Sequence, residues 1–189
     1  MAIKIVTGAT GTAHVTSGDD RGLNMGLAGK ASYVLNVGNK FSHLVVSNNL
    51  IRISDGELLI QGCHARIEPG AVEDCVIDNG SADKKRVDLI VARYHFDSVT
   101  GYESVTLEVI KGTEGSSYVT PAYNTGDIRT GSQTVDFPLY KVSINGINIA
   151  SVTEMFMVAW PATIFVCSES VWNEQKTNYP DAFFVIKEQ

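Results

Sequence analysis

The stretch RVDLIVARYHFDSVTGYESVTLEVIKG, residues 86–112, decides the fold class. Val87, Leu89 and Val91 alternate with Asp88, Ile90 and Ala92. That is a period of two, the repeat at which successive side chains leave opposite faces of a strand. Both sets are largely apolar up to Ala92, which predicts a strand covered on both faces at the centre of a sheet. Asp97 to Gly101 supplies a turn, and beyond it Val105, Leu107 and Val109 oppose Thr106, Glu108 and Ile110. The two runs predict an antiparallel hairpin.

The same cadence extends outward on both sides. HLVVSNNLIRISDGELLIQGCHARIEPG (43–70) breaks into short strands at Asn48-Asn49, Asp55-Gly56 and Gln61-Gly62. Residues 50–53 and 57–60 flank Asp55-Gly56, a pair that tolerates the positive φ of a tight turn, and so predict a second hairpin there. CVIDNG (75–80) reads as a further strand ending at Asn79-Gly80, and TVDFPLYKVSINGINIASV (134–152) as two strands around Asn145-Gly146. Between them, residues 113–133 are rich in Gly, Ser, Thr and Pro and read as a long loop, which in a compact domain usually has a job or is mobile. Helix is limited to short pieces near 20–28 and 171–176. The sum predicts an all-β fold, mainly an antiparallel β-sandwich or barrel with long Gly-rich loops and little helix. Residues 154–189 hold both tryptophans and two aromatic-rich strand candidates but lack the turn cadence. The expected organisation is a β-rich module over 1–150 and a small aromatic-rich module over 151–189.

Charge and cysteine usage narrow the function classes. A net charge of −6 argues against nucleic acid, whose backbone needs a basic face. Lys84-Lys85-Arg86 reads as a solvated loop edge. No apolar run approaches the ~20 residues that span a bilayer, and the start lacks a charged-then-apolar leader, so no membrane insertion is expected. The chain is expected to be made in the cytoplasm. The three cysteines, 63, 75 and 167, form no C-x-x-C pair and suggest neither a disulfide framework nor structural zinc. Cys75 reads as a small apolar residue at a strand start.

Enzyme readings fail on context. IVTGATGTAH (5–14) has the glycine spacing with which many nicotinamide-dependent dehydrogenases begin. Its third small position is His14, however, and the helix that should follow carries glycine at 18, 22, 26 and 29. Each glycine costs a helix about 1 kcal/mol relative to alanine. Ser17 to Asp20 reads as a turn cluster, and a Gly-rich loop after a first strand is the simpler account. His14, His43, His64 and His95 have no G-x-S-x-G serine to serve. Asp55 is assigned to a turn, and Asp88 beside Arg86 and Arg93 to a structural ion pair. Asp19, Asp20 and Asn24 near His14 lack the spacing of a calcium loop and read as capping or turn residues. No catalytic, cofactor or metal residue is assigned. Trp160, Trp172 and Tyr179 offer flat faces to a glycan or a partner chain, or else form the core of their own module.

One ordered set of segments carries a resemblance: residues 14–29, 33–41, 48–70, 78–113 and 121–149. In that order they resemble the N-terminal module of tail and baseplate structural proteins of tailed bacteriophages and of prophages of Gram-positive bacteria. The likeness covers roughly residues 1–150, and the last forty residues do not share it. It implies a virion structural protein of the phage tail that forms a homo-oligomer, a trimer by preference, and docks on other tail or baseplate proteins. Closure of such a ring satisfies strand edges that are otherwise exposed. The first thirty residues and the loop after Gly112 are the candidate intersubunit contacts. The alternative is a receptor-recognition protein binding host cell-wall polysaccharide through the aromatic C-terminal part.

Overall fold

A computed structural model describes residue 6 and residues 15–159, 164–177 and 183–186. The first helix, α1 (Ser17–Ala28), starts at a capping box. The Thr16 amide donates to the Asp19 carboxylate at 2.9 Å and the Asp19 amide donates back to the Thr16 hydroxyl at 3.3 Å. Two of the otherwise unpaired donors of the first turn are thereby satisfied. The cluster Ser17 to Asp20 is thus the first helical turn rather than a loop, despite Gly18, Gly22 and Gly26 within the helix. The dinucleotide turn at Gly8 and Gly11, and His14, lie outside the described residues.

Two antiparallel-dominated sheets follow. The first holds β1 (Tyr33–Leu35), β2 (His43–Ser47), β3 (Leu50–Ile60), β4 (Cys63–Val76) and β9 (Val158–Ala159). β3 runs its whole length against β4, while β2 and β1 share its other side. β9 adds parallel to β1 through Val34 and Val158. The second sheet has the order β6-β5-β7-β8, from β5 (Lys85–Phe96), β6 (Glu103–Ile110), β7 (Thr134–Asn145) and β8 (Asn148–Glu154). The hairpin read from residues 86–112 is present and β5 is central, flanked by β6 and β7. Pro138 is tolerated in the inner strand β7 because it sits at a bulge, where Val91 pairs with Pro138 and Ile90 with Tyr140.

The sheets share one core. Ile90, Ala92 and Tyr94 of β5 and Leu139, Val142 and Ile144 of β7 meet Ile51, Ile53, Leu58 and Ile60 of β3. Tyr140 ties the layers together: its hydroxyl donates to the Phe41 carbonyl at 2.7 Å, and its ring lies 4.6 Å from that of His43. The all-β expectation with little helix therefore holds, in sandwich form.

The opposite face of β5 is also buried, with Val87, Leu89 and Val91 at most 2% exposed. The long loop covers it. Lys85 and Gly115 exchange amide-carbonyl bonds of 2.8 and 2.9 Å, and Asn124 bonds Asp136, which pairs in register with Arg93. From Lys85 to Arg93 a strand covers about 27 Å, and the nine steps from Gly115 to Asn124 span about 30 Å fully extended. The segment therefore runs nearly straight along the sheet, hydrogen-bonded to its own chain at both ends.

Three local expectations change. Asp55-Gly56 does not turn a hairpin; it lies inside the 11-residue β3, opposite a bulge in β4 where residues 68–71 face Asp55 alone. The segment 36–42 docks on Asp55-Gly56: the Phe41 amide donates to the Asp55 carbonyl at 3.2 Å, and Asn39 donates to its carboxylate. A Cβ on Gly56 would lie 2.7 Å from the Phe41 nitrogen, so glycine serves close approach here rather than a turn. The reversal comes at Gln61-Gly62, both with positive φ. β4 then runs on through Pro69-Gly70, which places Cys75 near the end of a strand rather than its start. Third, Arg86 is 1% exposed, not a solvated edge.

The chain divides after Ala159, so residue 150 falls within β8 and not at a boundary. The second unit, residues 160–189, contains β10 (Ile164–Cys167), α2 (Glu169–Gln175) and β11 (Phe183–Ile186). Its two described strands pair parallel, as only β1 and β9 do among the described pairs of the first unit. A parallel pair needs a crossover, and α2 supplies one.

Candidate interaction surface

The edge strand β2 carries His-Leu-Val-Val-Ser, with every residue exposed and no acidic or lysine side chain to blunt it. Leu44, Val45 and Val46 are 60%, 43% and 45% exposed. An uncharged apolar edge is a template for pairing with another chain. Its apolar character continues across the outer face of the sheet. In register, Leu44 sits beside Arg52 and Arg52 beside Asp74, with Leu50–Val76 and Ser54–Val72 as the flanking rows. Val72 and Val76 are 49% and 63% exposed. At the centre Arg52 bonds Asp74 through two contacts of 2.7 and 2.9 Å, so the one charged pair in the patch is neutralised within it. The result is a face of exposed apolar side chains around one ion pair, without net charge.

A polar cluster lies under α1. Arg21 and the Tyr94 hydroxyl both donate to Glu103, the tyrosine at 2.7 Å, beside a cavity of about 390 Å³ that Cys63, His64 and Asn24 also line. Burial opposes charge on Glu103, but the bonds from Tyr94 and Arg21 outweigh it and hold its carboxyl below the ordinary value. Burial, reinforced by the bond to Glu103, pushes Tyr94 up to about 12. Each polar group is committed to another. The cluster pins α1 to the β5–β6 hairpin, and Asn24 adds a bond to the Gly62 carbonyl at 2.9 Å. A Cβ on Gly62 would meet the Arg21 carbonyl at 2.6 Å, so the β3–β4 turn needs glycine to reach the helix.

The remaining candidates are dispersed. Cys63 and His64 are neighbours on a strand and point to opposite faces. His64 contacts Glu57 at 2.8 Å, and burial raises the Cys63 thiol. Cys75 is buried, and its thiol is pushed up to about 11, chiefly by burial. His95 lies 3.2 Å from the Thr134 hydroxyl. Among the described residues no group of three or more His, Cys, Asp or Glu side chains forms a metal-binding cluster. Asp19 caps α1, and Asp20 lines the cavity. Asp55 is buried, its carboxyl held low first by the Asn39 bond. Asp88 pairs with Arg86 as expected, at 2.8 and 3.0 Å, whereas Arg93 pairs with Asp136 instead. Trp172 is half-buried on α2 with the Lys176 ammonium 4.3 Å over its ring, on a face a sugar would need. Trp160 and Tyr179 lie outside the described residues.

The β2 edge and its neighbouring face were missed in the sequence because the Val72 and Val76 rows assemble only when β4 resumes pairing with β3 beyond the bulge at 68–71. The available signal was HLVVS itself, an apolar strand with no charge. In comparisons with known proteins, no family model matches the chain and no curated protein matches it. No helix among the described residues is long and apolar enough to cross a membrane.

Proposed function

We propose that this chain is a structural protein of a phage or prophage tail or baseplate, working by self-association and by docking on other tail proteins. The observation that carries the reading is the exposed, uncharged β2 edge continuing into the apolar face around Leu44, Val72 and Val76. Isolated apolar side chains on a surface need no explanation, but exposed apolar side chains grouped around a self-neutralised ion pair beside an open strand edge form a pairing surface. A second copy suits it: the patch carries no net charge, so two copies meet without repulsion. The ordered resemblance of residues 14–149 to tail and baseplate modules supplies the setting, and the trimer it implies needs the β2 face to meet a different surface of the neighbouring copy, since patch-on-patch pairing alone closes a dimer.

Light scattering on the purified full chain tests this directly. The expected result is a homo-oligomer of defined mass that Leu44→Lys or Val76→Lys reduces to monomer with the fold intact by circular dichroism. A chain that stays monomeric at high concentration, or an oligomer indifferent to both substitutions, overturns the reading.

A further inference from the structure

Along one side the two sheets meet without bonding: β4 and β6 approach within 8 Å at their nearest. β4 ends the first sheet and β6 ends the second, and among the described residues no backbone hydrogen bond joins them. Cys63, Ala65 and Ile67 of β4 and Val105, Leu107 and Val109 of β6 all pack against the core, yet all six are only half-buried. Residues that face a core and still reach solvent mark a missing neighbour. A cavity of about 400 Å³ opens there, reaching the core residues Phe41, Leu58 and Ala92. Ala65 and Val105 also line the cavity beneath α1, so the opening continues as a groove along the seam. Five residues on each side, 63–67 and 105–109, give it a length of about 17 Å, that of an ordinary strand.

The rim is acidic. Glu73, opposite Ile53 on β4, and Glu108 on β6 both line the cavity. Glu108, opposite Val91, accepts from the Thr106 hydroxyl at 3.2 Å and lies within electrostatic reach of Arg93, and Glu73 has no ion-pair partner among the described residues. The other two rim charges are already paired, Arg66 with Glu68 and Asp74 with Arg52.

We infer that the β4–β6 seam accepts an extended strand of a partner protein, apolar at the positions that enter the groove and basic where it passes Glu73 and Glu108. The inference rests on the assembly reading above and names the chemistry of a docking partner. Strand addition satisfies free edge donors and acceptors with main chain and uses alternate side chains for specificity. A second copy presenting the same seam is disfavoured, since Glu73 and Glu108 would face their own duplicates. A small apolar molecule fills the cavity but leaves the β6 edge unpaired.

The probe is a capped nine-residue peptide alternating lysine with valine and leucine, titrated by calorimetry against the full chain. Controls are the same peptide with glutamate for lysine and a scrambled peptide of identical composition with its lysines in one block. The alternating lysine peptide is expected to bind at least tenfold tighter than either control and to slow amide exchange in residues 103–110. The double variant Glu73→Lys, Glu108→Lys should reverse the preference towards the glutamate peptide, and Ala65→Trp, which fills the groove, should abolish binding. Glu73 is exposed and Glu108 half-buried at the rim, so the charge variants remain informative if Ala65→Trp fails to fold. Equal affinity for the scrambled peptide, or binding without slowed exchange in β6, overturns the inference in favour of nonspecific attraction or an apolar ligand pocket. Light scattering on the same samples separates the two readings. An oligomer that ignores the peptide removes only the seam, and a monomer that binds it removes only self-association through β2.

Discussion

Replacing Asp88 with alanine leaves the Arg86 guanidinium charged in a site where it is 1% exposed. In the native protein Asp88 holds Arg86 through two contacts of 2.8 and 3.0 Å and accepts the Gly112 amide at 2.9 Å. Arg86 in turn donates to the carbonyls of Asp78 and Asn79 and to Glu114 at 3.1 Å, joining the β4–β5 connection to the start of the long loop. Burial alone would lower the Arg86 pKa, but Asp88 and Glu114 more than compensate, so the side chain stays charged. Breaking such a pair from one side costs about 3–5 kcal/mol, and the lower end applies here because the buried charge keeps Glu114 and two carbonyls after losing its best partner. Domains of this size are stable by about 5–15 kcal/mol in total. At about 2–4 °C per kcal/mol, the melting temperature should fall by roughly 10 °C. Urea unfolding at pH 7, followed by circular dichroism, measures the loss. The double variant Arg86→Met, Asp88→Leu removes both charges and should recover much of it. The reasoning is refuted if Asp88→Ala is no more costly than Asp74→Ala, which breaks the half-exposed pair with Arg52. It is equally refuted if the double variant is worse than Asp88→Ala alone.

Glycines make opposite predictions at different sites. A Cβ at Gly22 or Gly26 meets nothing within 4 Å, so alanine at either should stabilise α1 by about 1 kcal/mol and raise the melting temperature. Gly56→Ala should lower it, because the new Cβ would press on Phe41 at 2.7 Å. For Asp136 burial favours the neutral acid, but Arg93 and Asn124 overcome it, and its folded pKa lies below the ordinary 3.8, as that of Glu103 lies below 4.5. A depressed carboxylate adds stability in full above its unfolded value and loses it as pH falls through the folded one. Melting temperatures should therefore drop on acidification below about pH 4, and less steeply in Asp136→Asn. Tyr94 has the reverse sign: its contribution is full below about pH 10 and is lost as pH rises through about 12, readable from melts of Tyr94→Phe against the native chain. Cys75 should resist a thiol reagent in the native state and react at once in urea, since burial pushes its pKa up to about 11.

Local pattern was enough for the strands and for most reversals. The alternation through β5 and β6, and the Asn-Gly corner between β7 and β8, are set by neighbours a few residues apart, so they could be read from the chain directly. The same reasoning misplaced Asp55-Gly56, whose positive-φ tolerance is unused because segment 36–42 closes on it. It misjudged Arg86 for a related reason: a run of basic residues looks solvated until Asp88, Glu114 and two carbonyls converge on one member. The β4–β6 seam was also invisible, since nothing in CHARI or VTLEV says that their outer edges stay unpaired. Sequence alone determined which segments extend and which way their apolar faces look, because that depends on side-chain alternation. Only the tertiary structure decided which edges remain open and which charges are buried, because those depend on contacts between segments as far apart as Phe41 and Tyr140, ninety-nine residues along the chain.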